Sequence, residues 1–569
     1  MALLYPVKDP QDGQSNDAQL SARLNAEALK HPFWTLNERQ LCDIELLLNG
    51  GLAPLSTFMN RKDYEAVLDT MRLADGSFYP MPVSLDVSRR FIERLSPGDK
   101  ITLRNHENFA IAIMTLTDIW EPDFAREAQD VFKTQDRSHP GVNYLFSQSN
   151  PVYISGTLQK VSDVHYVDYQ LYRHTPDELK AEFKRRNWDK VVAFQTRNPM
   201  HLAHITLTRK ALDEINGAGL LLHPVVSTAK PGDVDYHTRM RCYEHALEHY
   251  PPNSTILSLL PLAMRMGGPR EALWHGMIRK NYGCTHMIIG RDHAGPGKSA
   301  DGKPFYDEFE AQQTLLEHAT KVGITPVAFD HVVYQPQKKE YLFMKDVKPG
   351  ETTLSISGTE LRAMLDHNDP IPEWFTPPQI AEELRRAIPP LKQRGFTVFF
   401  TGLSGSGKST LAKNLVVKLR EAGRYNITLL DGDVVRTHLS SELTFSKEHR
   451  SLNVQRIGYV ASEITKNRGV AICAPIAPYE HDRLTNRNLI SQYGGYVEVY
   501  LSTPLEICEQ RDTKGLYLRA RENLEHHFTG INDPYETPVN PEVIIDTTDL
   551  GIDEAVEQIY AKIEALGYI

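Results

Sequence analysis

The segment Phe396-Thr397-Val398-Phe399-Phe400-Thr401-Gly402-Leu403-Ser404-Gly405-Ser406-Gly407-Lys408-Ser409-Thr410-Leu411-Ala412 decides the fold of the C-terminal third of the chain. Its first five residues, aromatic and β-branched, read as a buried strand, and Thr410 onward reads as a helix. Between them, Gly402 to Ser409 satisfies G-x-x-x-x-G-K-[ST] at every position, in the strand–loop–helix context the motif requires. Glycines let successive backbone N–H groups point into one concavity, and the helix N-terminus adds a favourable dipole. Lys408 carries positive charge toward the β- and γ-phosphates, and the Ser409 hydroxyl is a ligand for Mg²⁺. Gly402, Leu403, Ser404, Gly405, Ser406, Gly407, Lys408 and Ser409 therefore read as a nucleoside triphosphate site.

Downstream, Asp431-Gly432-Asp433 ends the strand-like Ile427 to Leu430, where a carboxylate beside bound phosphates orients Mg²⁺ or takes a proton from a hydroxyl acceptor. Upstream, the prolines of Asp369-Pro370-Ile371-Pro372 and Ala387-Ile388-Pro389-Pro390 bracket a short helix and read as an interdomain connection. Before them, from about residue 185, short apolar strands alternate with helices. That rhythm implies a parallel sheet with ligands at the carboxyl ends of its strands. Two polar clusters fall at such ends. Gln195-Thr196-Arg197-Asn198-Pro199-Met200-His201-Leu202-Ala203-His204 follows Val191 to Phe194, with Asn198 expected as N-cap and Pro199 as first helical residue. His201 and His204, three apart, share a helix face near its positive end, and Arg197 makes the pocket donor-rich, suited to a phosphate. A zinc reading is disfavoured, because no Glu follows His201 and no third ligand is evident. Gly290-Arg291-Asp292-His293-Ala294-Gly295-Pro296-Gly297 ends the strand Met287 to Ile289.

Residues 1 to about 170 hold short apolar segments broken by turns such as Ser96-Pro97-Gly98-Asp99, and read as mostly β with some helix. The 569 residues carry 63 Lys+Arg against 73 Asp+Glu, a net charge of −10 that disfavours generic binding to nucleic acid or anionic membrane. The basic run Lys180, Lys184, Arg185, Arg186 and Lys190 lacks an aromatic platform and reads as a solvated helix face. No apolar run of about 18 residues spans a membrane, and the N-terminus has no secretory pattern. Five cysteines without paired spacing exclude a disulfide framework and predict a reducing, cytoplasmic setting.

Phe445-Ser446, Arg450, Asn453, Arg456-Ile457-Gly458, Pro478-Tyr479, Lys514-Gly515-Leu516-Tyr517 and Phe528-Thr529-Gly530-Ile531, together with the phosphate loop, closely resemble the adenylyl-sulfate kinase family from about 394 to 569. In the same way Q-T-R-N-P-x-H-x-x-H, the segment Met264-Arg265-Met266-Gly267-Gly268-Pro269-Arg270-Glu271-Ala272 and G-R-D-H-A-G-P-G resemble the ATP sulfurylase family over most of residues 1 to 390. These resemblances imply a multidomain α/β protein. Its expected parts are a β-rich PUA-like domain over 1–170, a Rossmann-like nucleotidyltransferase core over 171–328, a small subdomain and linker over 329–393, and a phosphate-loop kinase domain with a parallel sheet over 394–569.

The implied chemistry is bifunctional: ATP and sulfate give adenosine 5′-phosphosulfate, which a second ATP phosphorylates at its 3′-hydroxyl. By resemblance, Gln195 and Arg197 hold sulfate with Arg291 and Ala294. Gln195, Thr196, Arg197 and Asn198 line ATP with Gly290, Arg291, Asp292 and His293, and Val332 meets the adenine. Thr196, Arg197, Asn198, His201 and His204 are the expected catalytic set for adenylyl transfer, and Lys408 and Asp433 for phosphoryl transfer. Asp431, Asp433, Arg436, Phe445, Arg450, Asn453 and Lys514 are expected to hold the acceptor. Mg²⁺ enters with ATP, with no zinc, haem or flavin, and a homo-oligomer is expected. Three positions depart from the family pattern: Leu202 where Arg is frequent, Val434 where Asn is common, and Ala477 where Ser often precedes Pro-Tyr. The competing reading is a sulfurylase whose C-terminal domain binds nucleotide only to regulate; the intact Lys408 and Ser409 argue against it.

Overall fold

A computed structural model describes residues 22–226, 234–512, 515–522 and 528–569. The chain forms two compact units, residues 1–357 with 371–387, and residues 358–370 with 388–569. The stretch expected as one subdomain and linker, 329–393, is thus shared between them.

In the first unit, a five-stranded sheet runs in the order Phe33–Thr35, Lys100–Arg104, Ala110–Trp120, Val152–Lys160, Leu85–Val87. Its pairings are antiparallel except at Phe33–Thr35, which runs parallel to Lys100–Arg104. A second sheet is wholly parallel, ordered Thr325–Ala328, His286–Ile289, Lys190–Phe194, Ala218–Leu222, Thr255–Leu257. The strand Lys190–Phe194 sits at its centre, so the histidine-bearing segment and the Gly290 segment leave the same edge from adjacent strands.

The helix Gly268–Asn281 joins the two layers. Twelve of its fourteen residues are buried, so it has no solvent face, as expected for a helix enclosed on all sides. Its Arg270 donates to the carbonyls of Pro80 (2.8 Å), Asp130 (2.8 Å) and Val67 (2.6 Å). Just before it, Arg265 grips Asp43 through both carboxylate oxygens at 2.7 and 2.6 Å. These buried charges are paired or fully hydrogen-bonded, which offsets their desolvation.

In the second unit, a parallel sheet is ordered Ile427–Asp431, Val470–Ala474, Phe396–Gly402, Gly495–Leu501, Val543–Ile545. Every residue of the central strand is buried. Phe396, Val398 and Phe400 pack against Leu411, Leu415 and Ile559 on one face, and Phe399 packs with Ile457 and Ala461 on the other. The chain order reverses at this strand, which places a ligand crevice at its carboxyl end. All five cysteines are buried free thiols, and no described helix is long and apolar enough to cross a membrane.

Two candidate active sites

The first site is built on the loop after Lys190–Phe194. The helix that follows spans Leu202–Glu214 with His201 as N-cap, so the expected cap at Asn198 and helical start at Pro199 are both corrected. The loop is held open by other bonds. Asn198 N donates to Thr196 Oγ1 (3.1 Å), and the Asn198 carbonyl accepts from Thr196 Oγ1 (3.0 Å) and Tyr243 Oη (3.0 Å). A backbone so engaged cannot start the helical ladder.

The imidazoles are placed by this start. His201 N donates to His204 Nδ1 (3.2 Å), which requires that nitrogen to be bare and leaves the His204 proton on Nε2 as a donor. His201 Nδ1 meets Thr376 Oγ1 at 3.1 Å, and its ring stacks on Phe375 at 4.4 Å. Phe375 and Thr376 lie in the proline-bracketed segment expected as an interdomain connection. Burial holds His201 down at about 3, with His204 adding to the effect, and holds His204 down at about 4. Both act as neutral N–H groups at neutral pH.

Gln195 Nε2 and Arg197 Nη1 approach the sulfurs of Met264 (3.8 Å) and Met266 (3.9 Å), while Gln195 Oε1 is buried without a partner. The Met264 to Gly268 loop is tied to the Gly290 loop by Gly268 N donating to the Ala294 carbonyl at 3.1 Å. Asp292 and Ala294 both have left-handed backbone, φ 51° and 57°, which side-chain-bearing residues rarely adopt. Arg291 is exposed and pairs with Glu308 at 3.4 Å. Val332 is buried, at the start of the strand Val332–Gln335. Thus Gln195 to Asn198 and Gly290 to Ala294 line one sheet edge, joined through a methionine loop that the residue reading gave no role.

The low-titrating histidines make the first unit acid-sensitive. An unfolded imidazole takes a proton below about pH 6.5, whereas folded His201 and His204 stay neutral down to about 3 and 4. The unfolded chain therefore binds more protons across this window, and stability present above pH 6.5 is lost as pH falls toward 4. Each histidine contributes at most about 1.4 kcal/mol per pH unit. Calorimetry between pH 7 and 4.5 should show the first unit's Tm falling with pH, and His204→Gln should make that slope shallower. An equal slope in the variant would refute the assignment.

The second site is a cavity of about 830 Å³ whose lining includes Ser404, Gly405, Gly407, Lys408, Ser409, Asp431, Asp433, Arg436, Phe445, Arg450, Asn453, Ala477 and Phe528. Its volume suits nucleotide-sized ligands. Gly402, Gly405 and Gly407 have φ of 145°, 77° and 100°, and a Cβ on Gly405 would sit 2.7 Å from the Cys508 carbonyl. Only glycine makes this turn without strain. Lys408 Nζ donates to the carbonyls of Gly402 (2.9 Å) and Leu403 (2.6 Å) across the loop. Tyr517 Oη and Thr547 Oγ1 brace it from outside, donating to the carbonyls of Ser404 (2.8 Å) and Ser406 (3.1 Å).

Opposite the loop, buried Asp431 caps the helix Gly432–His438 by accepting from Asp433 N (3.1 Å), whereas Asp433 is exposed. Arg450 donates to the Phe445 carbonyl (2.8 Å) and to Thr529 Oγ1, and pairs with Asp533. Thr529 lies within Phe528 to Ile531, yet it and Asp533 meet Arg450 from 79 and 83 residues away, a pairing no local pattern signals. Arg436 lies over the Phe445 ring at 4.3 Å. Asn453 is buried, and its Oδ1 has no hydrogen-bond partner. Lys514 lies outside the described residues.

Fold and sites together define a nucleotidyltransferase joined in one chain to a phosphate-loop kinase. Family models agree: a PUA-like domain matches residues 12–163, ATP-sulfurylase 170–387 and adenylylsulphate kinase 394–546. The chain is 46% identical to the sulfate adenylyltransferase of Aspergillus fumigatus over 558 residues, 97% of each chain. It is also 46% identical to that of Mycosarcoma maydis over 559 residues, again 97% of each. Among solved structures, one described as a hexameric APS kinase from Thiobacillus denitrificans superposes with TM-score 0.78 at 36% identity, covering 97% of both chains. The protein belongs to the sulfate adenylyltransferase family, and it is an enzyme carrying both an ATP-sulfurylase and an adenylylsulphate kinase domain.

Proposed function

We propose that the chain catalyses both steps of sulfate activation. The first unit joins sulfate to the α-phosphorus of ATP and releases pyrophosphate, and the second transfers the γ-phosphoryl group of another ATP to the 3′-hydroxyl of the product. The observation that carries the two-step reading is the second cavity, where an intact phosphate loop faces Asp433, Arg450 and Asn453. A purely regulatory pocket needs no Lys408 beside a carboxylate able to accept a hydroxyl proton.

For adenylyl transfer, sulfate is a poor nucleophile, so the protein's part is to align it and to stabilise charge developing on the phosphate. Gln195 and Arg197, with Arg291 and Ala294, are assigned to sulfate; Thr196, Asn198, Gly290, Asp292, His293 and Val332 are assigned to ATP. His204, its proton fixed on Nε2, and His201 stabilise the α-phosphate and the departing pyrophosphate.

For phosphoryl transfer, Lys408 acts on the β/γ-charge, Asp433 accepts the 3′-hydroxyl proton, and Arg436, Phe445, Arg450 and Asn453, with Asp431 and Lys514, hold the acceptor. The Ser409 hydroxyl and the Asp431 carboxylate line one cavity, hard oxygen donors that would fit Mg²⁺. Bound there with ATP, Mg²⁺ supplies charge neutralisation. The hexameric neighbour supports a homo-oligomer, testable by light scattering, and the free thiols support a cytoplasmic setting.

ATP, Mg²⁺ and sulfate supplied with pyrophosphatase test the reading through the nucleotide that accumulates. The expected product is the 3′-phosphorylated phosphosulfate; accumulation of adenosine 5′-phosphosulfate alone would leave the second domain regulatory.

Ala477 closes a covalent route at its position. It is buried, lines the cavity and has no nucleophilic atom, and the expected route is direct transfer between ATP and acceptor. γ-Labelled ATP without acceptor should leave no label on denatured enzyme; stoichiometric label that chases into product would refute direct transfer.

A further inference from the structure

Helix Gly268–Asn281 carries a polar stripe that packing alone does not explain. Glu271, His275 and Arg279 recur at intervals of four on one face, and all three are fully buried. Burying a carboxylate and an imidazole is costly unless each is specifically bonded. Glu271 accepts from Arg265 N (2.7 Å) and Gly267 N (2.8 Å), and its Oε1 lies 3.2 Å from His275 Nε2. On the other side of the ring, His275 Nδ1 lies 3.0 Å from His293 Nε2. Three side chains from two segments thus form a single file from a buried carboxylate to the Gly290 loop. His293, at its end, is only partly buried, and sits between the two left-handed residues Asp292 and Ala294. Such strain persists where the surroundings over-determine it, and it concentrates at functional sites.

We propose that Glu271 and His275 are positioning residues for adenylyl transfer, acting through His293. The inference rests on the reading of the Gly290 loop as part of the ATP site. Its chemistry follows from proton bookkeeping along the file. Burial pushes Glu271 upward, but His275 and the two backbone amides outweigh it and keep the carboxyl below its usual range. At 3.2 Å the ionised Glu271 faces His275 Nε2 as a charge contact without the alignment of a hydrogen bond, and its negative charge favours the His275 proton on Nε2, which leaves Nδ1 bare. A bare Nδ1 accepts from His293 Nε2–H, so His293 presents a bare Nδ1 in a fixed ring plane. Burial, His275 and the Arg279 charge hold His293 down to about 3, against the opposing pull of Glu271, so the ring does not compete as a cation. The arrangement parallels carboxylate–histidine pairs that orient functional imidazoles elsewhere.

A double-mutant cycle in the full-length enzyme separates relay from scaffold. Pyrophosphate release from ATP and sulfate is measured for wild type, His275→Gln, His293→Asn and the double variant, with Tm recorded for each. Gln reaches toward Glu271 but not His293, so His275→Gln should lower kcat by about 10- to 100-fold, with a smaller change in KM for ATP. In the His293→Asn background the same substitution should change kcat by less than about twofold, because residues acting as one unit are not additive. Equal losses in both backgrounds, or an unchanged kcat in the single variant, would overturn the proposal. If His275→Gln does not fold, Glu271→Gln enters the same cycle; failure of both to fold would also overturn it, since the pair would then be structural. A wild-type enzyme that releases no pyrophosphate would remove the adenylyl-transfer reading itself, whereas an active wild type with an additive cycle removes only the relay.

Discussion

Lys408→Ala should lower 3′-phosphorylation of supplied adenosine 5′-phosphosulfate by about 10³-fold while leaving pyrophosphate release from ATP and sulfate within about twofold. The lysine lies in the second unit, at the head of the helix Lys408–Glu421, and its ammonium is buried against the carbonyls of its own loop. Phosphoryl transfer involves little covalent work by the protein, so losing the cation that meets the β/γ-charge removes a principal source of catalysis. Because Lys408 also bridges the loop, the variant needs a Tm within a few degrees of wild type for the result to count. Loss of both activities in a folded protein would contradict separate sites.

The reciprocal substitution, His204→Ala, should reduce adenylyl transfer by about 10²- to 10³-fold, the usual effect of removing one donor aimed at developing charge. Kinase turnover on supplied acceptor should be unchanged, because His204 belongs to the first unit. His204→Gln, which keeps an N–H near the Nε2 position, should recover part of the loss. Full activity in His204→Ala, measured as pyrophosphate release at saturating ATP and sulfate, would exclude the histidine from the reaction.

Much of the second site was legible because it is local. The phosphate loop needs left-handed backbone at fixed places, and Gly402, Gly405 and Gly407 announce it within eight residues. Asp431 ends a strand and Asp433 lies just beyond it, again a short-range signal. The first site was legible at its two sheet-edge clusters, but its helix start was misread. Asn198 and Pro199 have the composition of a cap, yet Tyr243, 45 residues away, takes the Asn198 carbonyl and the cap passes to His201.

By itself the sequence determined the alternation of strands and helices, the phosphate loop, and which polar clusters end strands, because each follows from periodicity or from the backbone freedom of neighbouring residues. Only the tertiary structure decided which side chains complete those clusters. Thr376 and Phe375 reach His201 from a proline-bracketed segment, Asp533 pairs with Arg450 across 83 residues, and His275 meets His293 from a different element. No residue pattern encodes such contacts, since a buried polar group needs a partner but its own sequence does not say from where along the chain the partner comes.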